Sequence, residues 1–368
     1  MNGWKHILII GENGNVVYHT ISSILGKEFS VVEHYIVKNS DKYPNILIRW
    51  LSVMKEFRRG VIESKPDKII ICGGPLISVW LIVALIVLFR LKIELILFRY
   101  DIDHFKNTSG SMKDRLILRL ERALEKFCFL NADKIIHKGS SDELSHLPFI
   151  KKIKNKPSYL FREFLDRNLI VKHSPNMKLS KKDKQLHLVY VGGWYFKDQH
   201  ASSNFFDLYS VFYKNGMHVH VYCKVSVSSE QETMRSFEKK FPFFHYEGSL
   251  NHDKLIKEIS KYDYGLNYYG FLDGSSNIYT TTSFSNKSQD YIAAGLPIIV
   301  NSEAKAISEF VKNNGIGIVH PLKVRNAAYL KGEMTKNHKE YIRNIQSYIK
   351  NFSEKKFMDF IKIPTRND

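Results

Sequence analysis

The sequence predicts an α/β protein with two doubly wound parallel sheets, and three observations carry that prediction. Runs rich in β-branched residues alternate with helix-length segments along most of the chain. The 368 residues exceed what one hydrophobic core usually fills. A lysine-rich stretch without apolar periodicity, "KHSPNMKLSKKDK" at residues 172 to 184, separates two rounds of the alternation.

The first round holds the strand-like runs "HILII" (6 to 10), "FSVVEHYIV" (29 to 37), "KIIIC" (68 to 72), "IELILF" (93 to 98) and "DKIIH" (133 to 137). Helices are expected between them near residues 44 to 64, 76 to 90 and 111 to 130, the last with leucines at three-and-four spacing. The second round reads "LHLVYV" (186 to 191), "MHVHVYC" (217 to 223), "FFHY" (243 to 246), "YGLNYY" (264 to 269), "PIIV" (297 to 300) and "GIGIVH" (315 to 320). Parallel strands joined by right-handed crossovers make each round a Rossmann-like domain. The expected boundaries are residues 1–175 and 185–335, followed by a polar, helix-prone tail at 336–368 that packs back across the domains. Two such domains facing a cleft would turn strand C-termini and helix N-termini towards a phosphate-bearing ligand.

The charge balance, 55 Lys+Arg against 37 Asp+Glu, leaves +18 and favours an anionic partner: nucleic acid, an anionic membrane face or a phosphorylated substrate. Charge alone does not choose among them. Cys72, Cys128 and Cys223 lie far apart without a CxxC pair, which fits a reducing cytosol. The first apolar run is too short for a signal peptide. "PLISVWLIVALIVLF" (75 to 89) is continuously apolar but falls short of the roughly 20 residues of a membrane span. A buried helix between strands and a helix dipping into a membrane surface both remain open. Basic residues gather at Arg58 and Arg59, at Lys113, Arg115, Arg119 and Arg122, and in "KKIKNK" (151 to 156). They form either a solvated face or a contact with an anionic membrane.

Chemistry-bearing residues fall at the expected strand ends. "VGGWYFK" places Gly192 and Gly193 where backbone can approach an anion, with Lys197 just beyond; "GENGN" places Gly14 after the first strand. A Gly248-Ser249 turn precedes a helix starting near Asn251 or His252 and could line a base pocket. In "SNKSQDYIAAGLPIIV" (285 to 300), Ser285 or Asn286 is a helix N-cap, Lys287 adds cationic charge for a diphosphate, and Asp290 could accept from ribose hydroxyls. That combination points to a sugar nucleotide. "YDIDH" offers Asp101, Asp103 and His104 to take or steer an acceptor proton, although chance placement of the aspartates alone gives roughly one Asp-x-Asp pair in a chain of this length. His218 and His220 alternate along a strand with no third ligand near in sequence, so no metal site is expected. The chain has no Gly-rich Lys-Ser/Thr phosphate loop, no GxSxG elbow and no full GxGxxG, which argues against an NTPase, an α/β-hydrolase and a plain dinucleotide-binding protein.

Together "VYVGGWYFK", "HYEGSLNHDKLIKEISKYDYGLNYY" and "SNKSQDYIAAGLPIIVNSEAKAISEFVKNNGIGIV" resemble the C-terminal domain of GT-B glycosyltransferases, especially the family 4 enzymes of bacterial surface polysaccharides, over roughly residues 186 to 320. The likeness is thinner in the first half, in "PDKIIICGG", "LFRYDID" and "LERALEKFCFLNADKIIHKGSSDEL". The resemblance implies a hexosyltransferase-type enzyme of cell-surface glycan synthesis. It would bind a nucleotide-sugar co-substrate, UDP-linked as the commonest family choice, in the second domain. The first would hold a saccharide or lipid-linked acceptor, with no essential metal or other cofactor. Asp290 stands where the family has its ribose-binding glutamate. Thr282 stands where many retaining members have a second glutamate, which leaves the stereochemistry open. Lys197, with Lys224 beyond "VHVYC", takes the place of the family's basic pair. Such an enzyme would be cytoplasmic and peripheral at the inner membrane face. Two other readings share the architecture: a nucleic-acid-directed protein, either base-modifying or a plain binder, and a sugar-nucleotide epimerase.

Overall fold

The computed structural model describes residues 6–12, 16–36, 55, 58–72, 76–89, 91–99, 102–105, 111–162, 165–171, 177–194, 205–225, 227–269, 278–322 and 326–365. The chain divides into two compact units, Met1–Phe164 with Ser353–Asp368, and Leu165–Phe352. The division thus falls ahead of the lysine-rich stretch, and the last residues of the tail belong with the first unit.

In the first unit the strands are β1 (His6–Glu12), β2 (Ser30–Ile36), β3 (Lys68–Cys72), β4 (Glu94–Arg99), β5 (Lys134–His137) and β6 (Ser158–Leu160), in the order β2-β1-β3-β4-β5-β6. All pairings are parallel. Helices α1 (Val16–Leu25), α2 (Leu76–Leu88) and α3 (Met112–Asn131) make crossovers. β3 and β4 are buried at every position, as expected of parallel strands covered on both faces. The three-residue β6 has no clear pattern of its own and was not expected. The anticipated helix over 44 to 64 lies mostly outside the described residues; only Arg58–Glu63 is described, as one wide helical turn.

The apolar helix α2 buries Ile82, Val83, Leu85 and Ile86 and leaves Val87, Leu88 and Phe89 exposed at its end. Its middle is therefore core. Among the described residues no helix is long and apolar enough to cross a membrane.

Charge lies inside this unit as well. Lys68 and Lys134, both fully buried, flank Glu94; Lys68 pairs with one of its oxygens and Lys134 with the other at 3.1 Å. Lys134 also donates to the carbonyl oxygen of Phe360 at 2.8 Å and to that of Ile363, at the end of the closing helix Lys355–Lys362. Thr365 Oγ1 donates to Glu94 at 2.7 Å. The C-terminal segment is thereby fastened to the first sheet through groups that would be costly to bury unpaired.

The second unit contains β7 (His187–Val191), β8 (His218–Tyr222), β9 (Phe244–Gly248), β10 (Tyr264–Leu266), β11 (Ile298–Asn301) and β12 (Gly317–His320), ordered β12-β11-β10-β7-β8-β9 and parallel throughout. Its helices include α4 (Ser228–Lys240), α5 (His252–Ile259), α6 (Lys287–Ala293), α7 (Lys305–Asn314) and the long α8 (Ala327–Asn351). Winding starts at β7 and reverses between β7 and β10, the order of a dinucleotide-binding sheet. One face is packed with aromatic rings, among them Tyr190, Trp194, Phe205, Phe206, Tyr209 and Phe244. Close packing at the reversal requires glycine: a Cβ on Gly265 would sit 2.3 Å from Cγ of Tyr291.

Candidate functional site

In an open α/β sheet the ligand crevice lies at the strand C-termini where the winding reverses. In the second unit that point lies between the ends of β7 and β10, and α6 is pinned against it. The hydroxyl of Tyr291 accepts from the amide of Val191 at 3.2 Å and donates to the carbonyl of Leu266 at 2.9 Å. One side chain thus bridges both strand ends. Asn267, just past β10, donates to Ser288 Oγ at 2.9 Å, and its own Oδ1 is buried without a hydrogen-bond partner among the described residues.

This docking brings Lys287 to the Gly192-Gly193 turn. The Lys287 ammonium lies 4.7 Å from the ring centroid of Tyr190 and 5.3 Å from that of Tyr269, and it donates to the Tyr190 hydroxyl at 3.1 Å. Tyr190 in turn donates to the carbonyl of Gly193. Gly192 has φ of +114°, and a Cβ there would come within 2.6 Å of Lys287 Cε. Both facts require glycine. Tyr269 is held by Asn301 at the end of β11, whose Oδ1 accepts from the Tyr269 amide at 2.7 Å and whose Nδ2 donates to its carbonyl at 2.6 Å. A cation between two aromatic faces keeps its full charge for an anionic ligand.

Asp290 is one turn further along α6. Its Oδ1 accepts from His252 Nε2 at 2.9 Å, and this hydrogen bond raises the His252 pKa above the ordinary histidine range against the opposing effect of burial. Among the described residues, Oδ2 is the Asp290 atom left for a ligand hydroxyl. The pair also places the start of α5, and with it the Gly248-Ser249 turn, beside α6. Gly248 has φ of +79° and Ser249 is exposed.

Several expected groups behave differently. Asn286 occupies the N-cap of α6 without a side-chain cap, while Ser285 Oγ accepts from the Lys287 amide at 3.3 Å. The amides of Ser288 and Gln289 donate to the carbonyls of Ser285 and Asn286 at 3.2 and 2.9 Å. The first amides of this short helix are thus engaged locally, and the side chain of Lys287, rather than backbone N–H groups, carries the positive end. Thr282 is buried, with Oγ1 donating to the carbonyl of Ile278 at 2.7 Å, a local bond that does not reach the crevice. Lys224 is exposed just past the end of β8. Lys197 and Gly14 lie outside the described residues.

A second group of polar residues sits at the C-terminal end of the first sheet. His104 lies in a helical turn, Asp103–Phe105, after β4. Glu125 of α3, fully buried, accepts from the His104 amide at 3.0 Å and contacts its Nδ1 at 2.6 Å; Arg99 donates to the other carboxylate oxygen at 3.3 Å. A carboxylate on Nδ1 sets the tautomer that leaves Nε2 as a proton acceptor. Asp101 and the side chain of Asp103 lie outside the described residues. Nothing in the local pattern of "YDIDH" announces Glu125, because it arrives from a helix 21 residues later. Tyr190, Tyr269 and His252 are likewise invisible as ligand-holding groups until strands and helices are placed.

The sequence profile of a family described as "Glucosyltransferase 3-like, C-terminal domain" matches residues 211–359. No curated protein matches the chain. Among solved structures, a lipopolysaccharide outer core galactosyltransferase, WaaB in its apo form, is 13% identical with a TM-score of 0.60, over 96% of this chain and 99% of that one. An α-glucosyltransferase in complex with UDP-glucose and DNA containing an abasic site is 12% identical with a TM-score of 0.59, over 98% and 100%. The S. aureus MnaA–UDP structure is 10% identical with a TM-score of 0.54, over 97% and 96%. At such identities the likeness concerns fold, and the fold is the pair of Rossmann-like domains of GT-B proteins.

Proposed function

We propose that this protein is a glycosyltransferase that takes a sugar from a nucleotide-sugar donor, UDP-linked, and passes it to a saccharide or lipid-linked acceptor. The observation that carries the reading is Lys287, held between Tyr190 and Tyr269 against the Gly192-Gly193 turn at the sheet's reversal point. There a fixed cation suits a diphosphate, and Asp290 one turn on suits a ribose. Structural neighbours solved with UDP and with UDP-glucose, and the glucosyltransferase-like profile over residues 211–359, support the donor class. In this reading Gly192, Gly193, Gly248, Ser249 and Lys287 line the donor, and the His104–Glu125 pair serves the acceptor hydroxyl. His104 takes the proton as the acceptor oxygen attacks the sugar's anomeric carbon and the bond to the diphosphate breaks, releasing the nucleoside diphosphate, and Glu125 orients the ring.

A membrane-facing acceptor is supported by α3. Its first turns are exposed all round: Met112, Leu116, Ile117 and Leu120 are 44–79% exposed, beside Lys113, Arg115 and Arg119. Trp80 of α2 meets Phe127 late in α3 at 6.2 Å, so these turns overhang α2. They spring from the sheet end that carries His104, whereas the exposed end of α2 lies at the opposite edge; the two apolar patches are separate. Apolar side chains interleaved with cations suit the surface of an anionic bilayer.

A thermal-shift screen with UDP, GDP, CDP and ADP and their sugars, with and without Mg2+ or Mn2+, tests the donor assignment. A rise with uridine nucleotides in wild type but not in Lys287→Ala supports it; equal rises in both refute the placement. Release of UDP without free isomerised sugar separates transfer from epimerisation. A steep salt dependence of duplex binding would favour the nucleic-acid reading instead.

A further inference from the structure

At the end of β7 away from Gly192, about 16 Å along the strand, the second sheet carries a face of imidazoles. The register sets His187 opposite His218 and His220 opposite His245. Residues two apart on a strand share a face, so all four rings lie on one side of three neighbouring strands. The His187 and His218 rings stack at 4.4 Å, as do those of His220 and His245. The third ligand that the sequence seemed to lack is supplied by the adjacent strand: one nitrogen each from His187, His218 and His220 lies within 4.8 Å of the other two.

Two carboxylates back this set. His187 Nε2 lies 2.9 Å from Asp183 Oδ2, His220 Nδ1 lies 2.8 Å from Glu247 Oε1, and the two rings face one another through His187 Nδ1 and His220 Nε2 at 3.0 Å. Those three contacts need three protons, and two neutral imidazoles carry two. A divalent cation between the facing nitrogens removes the shortfall. Both nitrogens become ligands, and each ring's remaining N–H donates to its carboxylate, the arrangement that orients metal-bound histidines. Tetrahedral zinc at roughly 2.0–2.1 Å from nitrogen sets its ligands about 3.3 Å apart, a few tenths more than the His187–His220 separation; His218, whose ring lies parallel to that of His187 at 3°, has to turn to aim a nitrogen at the same ion. Burial, with the neighbouring imidazoles and against Asp183 and Glu247, brings His218 and His220 down to about 4. His245 Nε2, 2.7 Å from His218 Nδ1, puts a fourth imidazole within reach.

We propose that His187, His218 and His220 form a binding site for a borderline divalent transition-metal ion, of which Zn2+ is the type, with Asp183 and Glu247 orienting His187 and His220. An all-imidazole set suits Zn2+, Ni2+ or Cu2+ and is poor for Mg2+ or Ca2+. The site ties β7 to β8 at the sheet edge and is independent of the donor assignment.

The test uses the full chain without a histidine tag, stripped with a chelator and titrated with Zn2+ against a chromophoric competitor. The expected result is one tight equivalent per chain, an increase in Tm on loading, and intense visible absorption of four-coordinate Co2+ when Co2+ replaces Zn2+. His187→Gln and His220→Gln should each remove that equivalent, and Glu247→Gln should weaken it about 10- to 100-fold. The wild-type measurement decides even where a variant fails to fold. Absence of a stoichiometric equivalent, a weak six-coordinate Co2+ spectrum, or uptake unchanged in His220→Gln and Glu247→Gln would overturn the site and place any bound metal elsewhere among the 15 histidines.

Discussion

Lys287 in the second unit and His104 in the first are both held in place, but by opposite means. Lys287 rests on tyrosine rings and the Tyr190 hydroxyl and has no carboxylate partner among the described residues, whereas His104 is bound through Nδ1 to a fully buried carboxylate shared with Arg99. The first arrangement leaves a net charge facing outward; the second orients a ring and fixes its tautomer. In the proposed transfer the first would hold the anion and the second would take the proton.

The units differ in the same way inside. Fully buried lysines in the first sheet are compensated chiefly by Glu94 between them, while the second is filled largely by aromatic rings. Burial raises the Glu94 pKa, but its hydrogen bonds from Lys68 and Thr365 and the nearby lysine charges bring it below the ordinary carboxylate value. Glu94→Gln should therefore have the largest effect on stability, about 3–5 kcal/mol, since it leaves buried ammonium groups uncompensated. Chemical denaturation would show this as loss of the first unit's transition; an unchanged midpoint would mean that the network contributes little.

The contrast between the half-sites should appear in kinetics. Glu125→Gln is expected to lower turnover roughly 100-fold, within the range for general acid–base catalysis, while leaving donor affinity unchanged. A change in donor affinity of similar size would erase the distinction. Lys287→Ala should do the reverse, weakening nucleotide binding by about 1.5–3 kcal/mol, ten- to a hundredfold, as for a hydrogen bond to a charged group. Calorimetry with UDP measures this directly.

The smallest effect concerns pH. The folded-state pKa of His252 is raised by Asp290, so the pair's contribution to stability is fully present below the ordinary histidine pKa and is lost as pH rises through the raised value. The difference in Tm between wild type and His252→Gln should be visible near pH 6 and vanish in mildly alkaline solution. Because both groups are partly exposed, the difference will be modest. A difference that grows with pH would contradict the ion pair.

Much of this was legible along the chain. Period and composition located most strands, and the helix bearing Lys287 and Asp290 stood out because a glycine-leucine-proline stop follows it before a β-branched run. The three-residue β6 was missed because so short a segment has no periodicity, and its pairing is set by β5. Of the two residues expected as N-cap, Asn286 makes no side-chain cap while Ser285 Oγ accepts from the Lys287 amide, and the next two amides bond to the carbonyls of the preceding turn.

By itself, then, the sequence determined what depends on neighbours in the chain: alternating strands and helices, the glycine turns, the position of Lys287 and the excess of positive charge. Tertiary structure decided what depends on groups far apart meeting. Tyr190 reaches Lys287 across 97 residues, and Glu125 reaches back to His104. His187 completes with His218 and His220 a set that neither strand contains alone. Pairing of parallel strands and docking of helices on the sheets bring such groups within a few ångströms, and the long crossovers keep them distant in sequence.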